Sequence, residues 1–309
     1  MMLDTRKIAV ATALMLPLCW VVPAAAQTYP ADKPELEYLD YWRLDTNYPT
    51  AGRYTDAKSK SPKQLDTYTD PLFRVITGGG VQMDARFGGA VTSTGTAYPR
   101  TELREMASAK TEADWDCKSK AKTMSLQLRI KQTPRYKPEM SVAQIHDADS
   151  DNLEVLYVYD KAQNGNAFPA PGTLGDKGKI IVKFNGGRSP DEVLDTAHVV
   201  GDKFQLTVHA NDTFAGKGKM AVEYTNVSQG KSKASTKVSF DSSTQPGCYF
   251  KAGNYAQACT RKFIDGSTNP TCNDKDFPLS NGYTWEPDAS RSAVSTMVLY
   301  NLTVNPKGN

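Results

Sequence analysis

Three short segments of the chain carry polar side chains at alternate positions, a spacing that places them on one face of a β-strand. The first is residues 100–104, where Arg100, Glu102 and Arg104 would form a row of cation, anion and cation. Taken alone, this row fits a salt-bridge ladder on a solvent-exposed face, which is a common arrangement. It indicates a functional surface only when it is combined with the other two segments.

The second segment sets an amide and an imidazole on the same face of a strand, as Gln144 and His146, with apolar Ile145 turned inward. His is suited to moving protons near neutral pH, because its ordinary pKa is about 6.5. His198 and His209 are alternatives, but neither has comparable neighbours. His209 lies on the polar side of a predicted strand, where we expect it to be exposed.

The third segment, residues 249–257, separates two kinds of side chain. One strand face would present aromatic and hydrogen-bonding groups together with a glycine, namely Tyr249, Lys251, Gly253, Tyr255 and Gln257. The other would present mostly small apolar groups, namely Phe250, Ala252, Asn254, Ala256 and Ala258. The first face is typical of a sugar-binding cleft, in which Gly253 would leave room for a chain to approach, and the second suits packing on another sheet.

Together the three segments resemble the signature regions of the alginate lyases of polysaccharide lyase family 7. That family carries an Arg-x-Glu-x-Arg strand, a Gln-(Ile or Val)-His strand and a Tyr-x-Lys-Ala-Gly-x-Tyr-x-Gln strand, and every fixed position matches here in the same order. The resemblance implies an all-β fold, a β-jelly roll of two antiparallel sheets with the catalytic groove on the concave sheet. It also implies β-elimination of alginate without a cofactor or a metal.

Elimination in a 4-linked uronan removes the weakly acidic C5 proton, so the sugar carboxylate must be neutralised to stabilise the developing enolate. Arg100 and Gln144, with His146 as a further donor, are the candidates on chemical grounds, and the resemblance implies the same assignment. It further implies Tyr255 as the acid that protonates the departing O4. The base would be His146 or Tyr255 itself, according to whether guluronate or mannuronate is cut.

The remaining matched positions are expected to bind substrate and to support these groups. An unperturbed tyrosine is a poor base at neutral pH, so we expect Lys251 and Arg104 to lower the pKa of Tyr255 and to hold flanking carboxylates. Glu102 is expected to orient the two neighbouring arginines. The predicted substrate-binding set is Glu102, Arg104, Tyr249, Lys251 and Gln257.

Substrate preference rests on one position. In the family, Ile at the middle of the Gln-x-His motif tends to accompany activity on guluronate-containing blocks, which Ile145 therefore favours. A lyase for another polyuronate such as glucuronan and a non-catalytic protein that binds acidic polysaccharide are the alternatives. A retaining glycoside hydrolase would need two carboxylates about 5 to 5.5 Å apart, and the acidic residues in 191–195 have the wrong spacing for one strand face.

The elements that position these groups are predicted to be strands, because apolar residues recur mainly at every second position. This pattern predicts strands over 81–87, 124–131, 153–159, 179–184, 204–209, 219–224, 234–240 and 294–304. Short helices are predicted around 62–68 and 190–194. Residues 27–75 are interpreted as a polar lead into the same domain.

Composition and the N-terminal sequence limit the classes of protein to which this chain can belong. Residues 1–26, with Arg6 and Lys7 before an apolar run and a final Ala24-Ala25-Ala26, predict a signal peptide, which leaves one catalytic domain over 27–309. We therefore expect a secreted or periplasmic protein, acting as a monomer on an acidic polysaccharide. A net charge of +3 argues against a nucleic-acid binder, and no later stretch is apolar enough to span a membrane.

Four cysteines follow the predicted signal peptide, and an even number in an exported protein indicates two disulfides. Three pairings are possible among Cys117, Cys248, Cys259 and Cys272. A bond between Cys259 and Cys272 would close a short loop and leave Cys117 for Cys248, but the sequence leaves all three pairings open.

Overall fold

The computed structural model describes residues 36, 39–135, 137–165, 172–272 and 294–308. These residues form one short helix, α1 (Pro62–Leu65), two 3-10 turns at 39–41 and 185–187, and a series of strands. In chain order the strands are β1 (Trp42–Thr50), β2 (Arg53–Lys60), β3 (Phe73–Val75), β4 (Val81–Arg86), β5 (Arg100–Glu105), β6 (Lys122–Gln132), β7 (Glu139–His146), β8 (Asp151–Tyr159), β9 (Lys177–Phe184), β10 (Ser189–Val199), β11 (Lys203–Ala210), β12 (Lys219–Asn226), β13 (Lys231–Ala234), β14 (Val238–Ser239), β15 (Tyr249–Ala256) and β16 (Val294–Asn305).

The strands form two antiparallel sheets, which confirms the predicted sandwich. Sheet I has the order β10-β9-β8-β7-β15-β5-β1-β2, and sheet II has the order β13-β12-β11-β6-β16-β4-β3, with β14 paired to β12. The three strands that carry the sequence motifs, β7, β15 and β5, are neighbours in the middle of sheet I. They come from distant parts of the chain, so the fold, not local sequence, assembles them.

Both sheets bury one face in a shared core, as strand alternation requires. In β6, Met124, Leu126, Leu128 and Ile130 are buried while the residues between them keep partial exposure. From sheet I, side chains such as Phe250 enter the same hydrophobic cluster. The other face of sheet I is thereby left for polar groups.

The predicted strands are confirmed except for one that is interrupted. The predicted strand 234–240 is broken, because the side-chain oxygen of Ser235 accepts from the backbone N–H of Val222, and Glu192 accepts from the backbone N–H of Thr236. These contacts turn the chain between β13 and β14. A local alternating pattern could not show that polar partners elsewhere compete for the backbone.

Of the two predicted helices, the one around 62–68 is confirmed as α1, which ends at Leu65, and the one at 190–194 is wrong. Residues 190–194 lie in β10, an edge strand that pairs with β9 through an irregular register. Pro190 is tolerated there because an edge strand leaves some backbone N–H positions without a ladder partner.

The region predicted as an N-terminal lead contributes strands of its own. β1 pairs with β5 and β2 pairs with β1, so this region extends sheet I beyond the motif strands. The predicted signal peptide, residues 1–26, lies outside the described residues. In the described part of the chain, no helix has the length and hydropathy needed to cross a membrane.

Two disulfides join Cys117 to Cys248 and Cys259 to Cys272. The first ties the loop before β6 to the residue immediately before β15, and Trp115 also pairs with Cys248 through its backbone. The start of β15 is therefore fixed covalently as well as by the sheet. Disulfides of this kind persist outside the reducing cytosol.

A buried ion pair beneath sheet I gives a stability prediction. Glu105 accepts hydrogen bonds from Lys122 Nζ, from Trp115 Nε1 at 2.9 Å and from the backbone N–H of Phe250 at 3.0 Å. Lys122 is fully buried. Lys122→Ala should lower the free energy of unfolding by about 3–5 kcal/mol, because it leaves a carboxylate buried without its cation.

Denaturant unfolding measures this loss, with the paired variant Lys122→Ala/Glu105→Gln as the control, since it leaves the same space at position 122. The paired variant removes both charges and should lose less than Lys122→Ala alone. Equal losses would mean that packing, and not the uncompensated charge, causes the effect.

Candidate active site

A row of polar side chains crosses the open face of sheet I. Residues directly opposite one another on paired strands point to the same side, and the registers align one residue from each of six neighbouring strands. This polar row runs, from β9 to β1, Lys183, Glu154, Gln144, Lys251, Arg104 and Arg43. Strands are spaced by ~4.8 Å, so the row forms a track long enough for several sugar units.

The row has a cationic end and a mixed end. Lys251, Arg104 and Arg43 lie on consecutive strands β15, β5 and β1. At the other end, a cavity of about 330 Å³ opens beside the row, lined by Asp151, Glu154, Lys183, Gly186, Gly187 and Asp191. The row therefore offers separate surfaces for carboxylates and for sugar hydroxyl groups.

Arg100, Glu102 and Tyr255 meet next to the row. The guanidinium of Arg100 lies 3.7 Å from the centre of the Tyr255 ring and contacts Glu102 Oε2 at 3.2 Å. Glu102 is fully buried and also lies 3.8 Å from Lys251 Nζ. The expectation that Glu102 orients cations fits this geometry, although its partners are Arg100 and Lys251, whereas Arg104 pairs with Glu112.

His146 is held in one tautomer by the backbone. Its Nδ1 contacts the carbonyl oxygen of Asp147, which can only accept, so Nδ1 carries the proton and Nε2 has a free lone pair. The Tyr249 ring stacks on the imidazole with centroids 5.3 Å apart. Nε2 lies 3.5 Å from Asp151 Oδ1.

Asp147 fixes the turn that supplies this carbonyl. Its buried carboxylate accepts from the backbone N–H groups of Asp149, Ser150 and Gln245, each at 2.8 Å, and from Asn152 Nδ2 at 3.1 Å. A carboxylate with four donors is fully satisfied and immobile. The turn therefore sets the orientation of His146.

Burial and charge lower the pKa of His146 from 6.5 to about 4, with burial the larger cause and the Lys251 ammonium the next. The imidazole is therefore neutral at neutral pH. Burial has the opposite effect on the phenol of Tyr255, whose pKa it raises well above the ordinary value of 10, although the Arg100 charge lowers it. The expectation that Lys251 and Arg104 would lower the pKa of Tyr255 is wrong, because burial outweighs the nearby charges and the cation that opposes it is Arg100.

Gln144 and Ser141 share the open face because of a β-bulge. Between Ser141 and Ala143 the pairing of β7 with β8 shifts register, so Ser141 turns to the same side as Gln144. Gln144 Nε2 donates to Ser141 Oγ at 3.1 Å. The amide oxygen of Gln144, Oε1, is buried without a hydrogen-bond partner in the described part of the chain.

Two of the predicted substrate-binding residues contact each other in the site, and a third follows the end of β15. Arg104 covers the ring of Tyr249 at 3.7 Å, so both belong to the site. Gln257 follows the end of β15, and its Nε2 is buried without a hydrogen-bond partner in the described part of the chain. Its contribution to substrate binding stays a prediction.

Sequence reasoning missed several residues of this face. Arg43, Lys183 and Glu154 lie in strands without a recognisable motif, and only the strand registers bring them into the polar row. Burial and the nearby Asp151 raise the pKa of Glu154 to about 7. Tyr98, whose ring packs edge-on to Tyr255 at 6.0 Å, comes from the loop before β5.

The other two histidines lie away from this face. His209, which we expected to be exposed, is 6% exposed, and its two ring nitrogens contact Asp212 and Glu223 at 2.5 and 2.9 Å. His198 is fully buried against Tyr224. Within the described residues, no group of three or more His, Cys, Asp or Glu side chains is arranged to hold a metal ion.

The fold and this charged face define a jelly-roll polysaccharide lyase with an acidic polysaccharide as substrate. The alginate lyase family model matches residues 38–304, and the chain belongs to that family. No curated protein sequence matches it significantly.

Solved structures agree with the family. The alginate lyase AlgAT5 of polysaccharide lyase family 7 is 26% identical, with 88% of this chain and 96% of that chain covered and a TM-score of 0.58. The alginate lyase from Corynebacterium sp. is 25% identical, with 90% and 97% covered and a TM-score of 0.62. The alginate lyase from Klebsiella pneumoniae, 17% identical over 90% and 98%, shares the fold with a TM-score of 0.63.

The structure gives a different reason for Gly253 than access for substrate. The residue has φ +148°, and an added Cβ would lie 2.8 Å from the Cα of Glu102, from the carbonyl oxygen of Thr101 and from Met83 Cε. Gly253→Ala should therefore lower the free energy of unfolding by about 2 kcal/mol or more, through overpacking and backbone strain.

Denaturant unfolding of Gly216→Ala provides the comparison. Gly216 also has a positive φ, +89°, but nothing lies within 4 Å of its added Cβ. If the two variants lose the same stability, contact with β5 is not what requires Gly253.

Proposed function

We propose that this enzyme cleaves alginate by β-elimination, with His146 as the base and Tyr255 as the acid. The observation that carries the proposal is the opposite displacement of their pKa values, which leaves the imidazole unprotonated and the phenol protonated at the same pH. Pairs of titratable groups whose pKa values are pushed apart are typical of acid and base partners. The charges of Arg100 and Glu102 act on both groups, which supports their belonging to one site.

Neutralisation of the sugar carboxylate is the first requirement of the reaction. Arg100 would supply a cation and Gln144 an amide N–H, both from the buried floor of the cleft. Donors that are already fixed stabilise the developing enolate without reorganising. Their neighbours support this role, since Glu102 holds Arg100 and Ser141 holds Gln144.

The environments of the His146 and Tyr255 rings then determine which ring takes a proton and which gives one. His146 Nε2 would take the C5 proton, the electron pair would form the C4–C5 double bond, and the C4–O4 bond would break. Tyr255 would give its phenolic proton to the departing O4. The products are a new reducing end, whose anomeric hydroxyl carries the former bridging oxygen, and a 4,5-unsaturated uronate at the non-reducing end, and the proton on His146 returns to solvent.

The substrate-binding roles extend this scheme along the polar row. Lys251 and Arg104 would pair with carboxylates of flanking sugars, while Tyr249 and Gln257 would contact the sugar rings. A preference for guluronate-containing blocks remains our expectation from Ile145. This side chain is fully buried and faces Phe250 across the strand pair, so its influence would act through the positions of Gln144 and His146.

Export of the enzyme is part of the proposal. The predicted signal peptide and the two disulfides support a secreted or periplasmic enzyme, where its polymeric substrate is accessible.

The experiment that tests the lyase mechanism follows ultraviolet absorbance with poly-guluronate, poly-mannuronate and glucuronan. A rise is expected because the unsaturated uronate product absorbs and hydrolysis products do not, with the largest rate on guluronate-containing substrate. Tyr255→Phe should lose roughly 10²–10⁴-fold in rate, while Tyr300→Phe, which removes a phenol from sheet II, should keep the wild-type rate. If the folded wild-type protein gives no rise in absorbance with any of these substrates, the proposal is wrong.

The pH dependence of kcat/KM tests the base. Because protonation of Nε2 removes the base, kcat/KM should fall only as pH drops through about 4 and not near 6.5. Substrate carboxylates also titrate in the acid range, so Lys251→Gln distinguishes the two. Removing this cation should move the acid limb to higher pH if His146 is responsible, and an unmoved limb would contradict the assignment.

A further inference from the structure

One exposed carboxylate lies between two arginines at the cationic end of the polar row. Glu112 Oε2 accepts from Arg104 Nη2 at 2.9 Å, and Glu112 Oε1 contacts Arg43 Nη1. Arg104 and Arg43 are opposite one another on β5 and β1. A single carboxylate is thus bound by two guanidinium groups on neighbouring strands.

Exposure distinguishes this carboxylate from the buried one in the centre of the site. The Glu102 side chain is 0% exposed, so substrate cannot replace it as the partner of Arg100 and Lys251. The Glu112 side chain is 47% exposed. An exposed ion pair is weak and exchanges readily with other anions, so Glu112 is a replaceable counterion.

The backbone of Glu112 is anchored independently of its side chain. Glu112 pairs through its backbone with Met106, at the end of β5, and the loop continues to the disulfide at Cys117. The carboxylate can therefore swing away from the arginines without unfolding the loop. Arg104 Nη2 and Arg43 Nη1 would then be open to another carboxylate, while Arg43 Nε stays bound to Asp45 Oδ1 at 3.2 Å.

We propose that Arg43 and Arg104 form a subsite for a uronate carboxylate, and that Glu112 occupies this subsite in the free enzyme as an internal substitute that the substrate displaces. This proposal rests on the proposed function and extends it by assigning Arg43 and Glu112. A polyanion replaces Glu112 at little cost, since one carboxylate exchanges for another. A neutral polysaccharide cannot replace it, so Glu112 favours charged chains over uncharged ones.

The test measures binding of guluronate oligosaccharides by calorimetry, in the Tyr255→Phe background so that the ligand stays intact. Adding Glu112→Gln should tighten binding about two- to five-fold, the range that removal of an exposed competing ion pair allows. The affinity should also fall more steeply with salt, because more unpaired cations face the ligand. Asp202→Asn changes the net charge equally at a turn that leads into sheet II, and should leave the affinity unchanged.

Arg43→Gln provides the second arm. It should weaken binding, and adding Glu112→Gln to it should recover less affinity than the same change gives with Arg43 present. Equal or weaker binding by Glu112→Gln alone would overturn the proposal, since Glu112 would then support the arginines and not compete for them. Failure of the lyase assignment is recognised separately, as absence of the ultraviolet product signal from the unsubstituted enzyme.

Discussion

Backbone pairing among β5, β15 and β7 is the constraint on which the site depends. The register sets Lys251 opposite both Arg104 and Gln144, and Tyr255 opposite Arg100. A slip of one residue would move every one of these side chains into the core. Glu105 prevents such a slip from beneath, because its carboxylate binds the backbone N–H of Phe250 on the neighbouring strand.

Removal from water is the main electrostatic influence on the two reactive rings. Burial favours the neutral form of any titratable group. Neutral imidazole is a base and neutral phenol is an acid, so one physical cause prepares both partners without a proton passing between them. The surrounding charges modify this effect, since Lys251 adds to it at His146 and Arg100 opposes it at Tyr255.

Sequence patterns predict the sandwich and the motif residues because both depend on the two-residue period of a strand. They fail where tertiary contacts replace that period. Residues 190–194 look helical in isolation but form an edge strand, and Ser141 faces the cleft only because of a bulge. Arg43 and Glu112 belong to no motif, and their association depends on strand order and loop position.

The pKa of Tyr255 shows a second limit of sequence reasoning. Charge can be read from residue types, whereas burial depends on how the whole sheet packs. The sequence predicts Lys251 and Arg104 as the cations that act on this phenol, whereas the charge that opposes burial is that of Arg100, and burial sets the direction of the pKa shift. His209 is a similar case, since its strand position suggests exposure and its two carboxylate partners cover it.

Along the polar row, positions that can change during evolution are separated from positions that the reaction requires. The three central strands are paired with one another. A substitution there therefore disturbs the acid, the base and the groups that neutralise the sugar carboxylate together. The flanking strands β8, β9 and β1 contribute one side chain each to the same track. Substitutions at Glu154, Lys183 or Arg43 would therefore adapt the enzyme to polymers with a different charge spacing while its reaction chemistry is inherited intact.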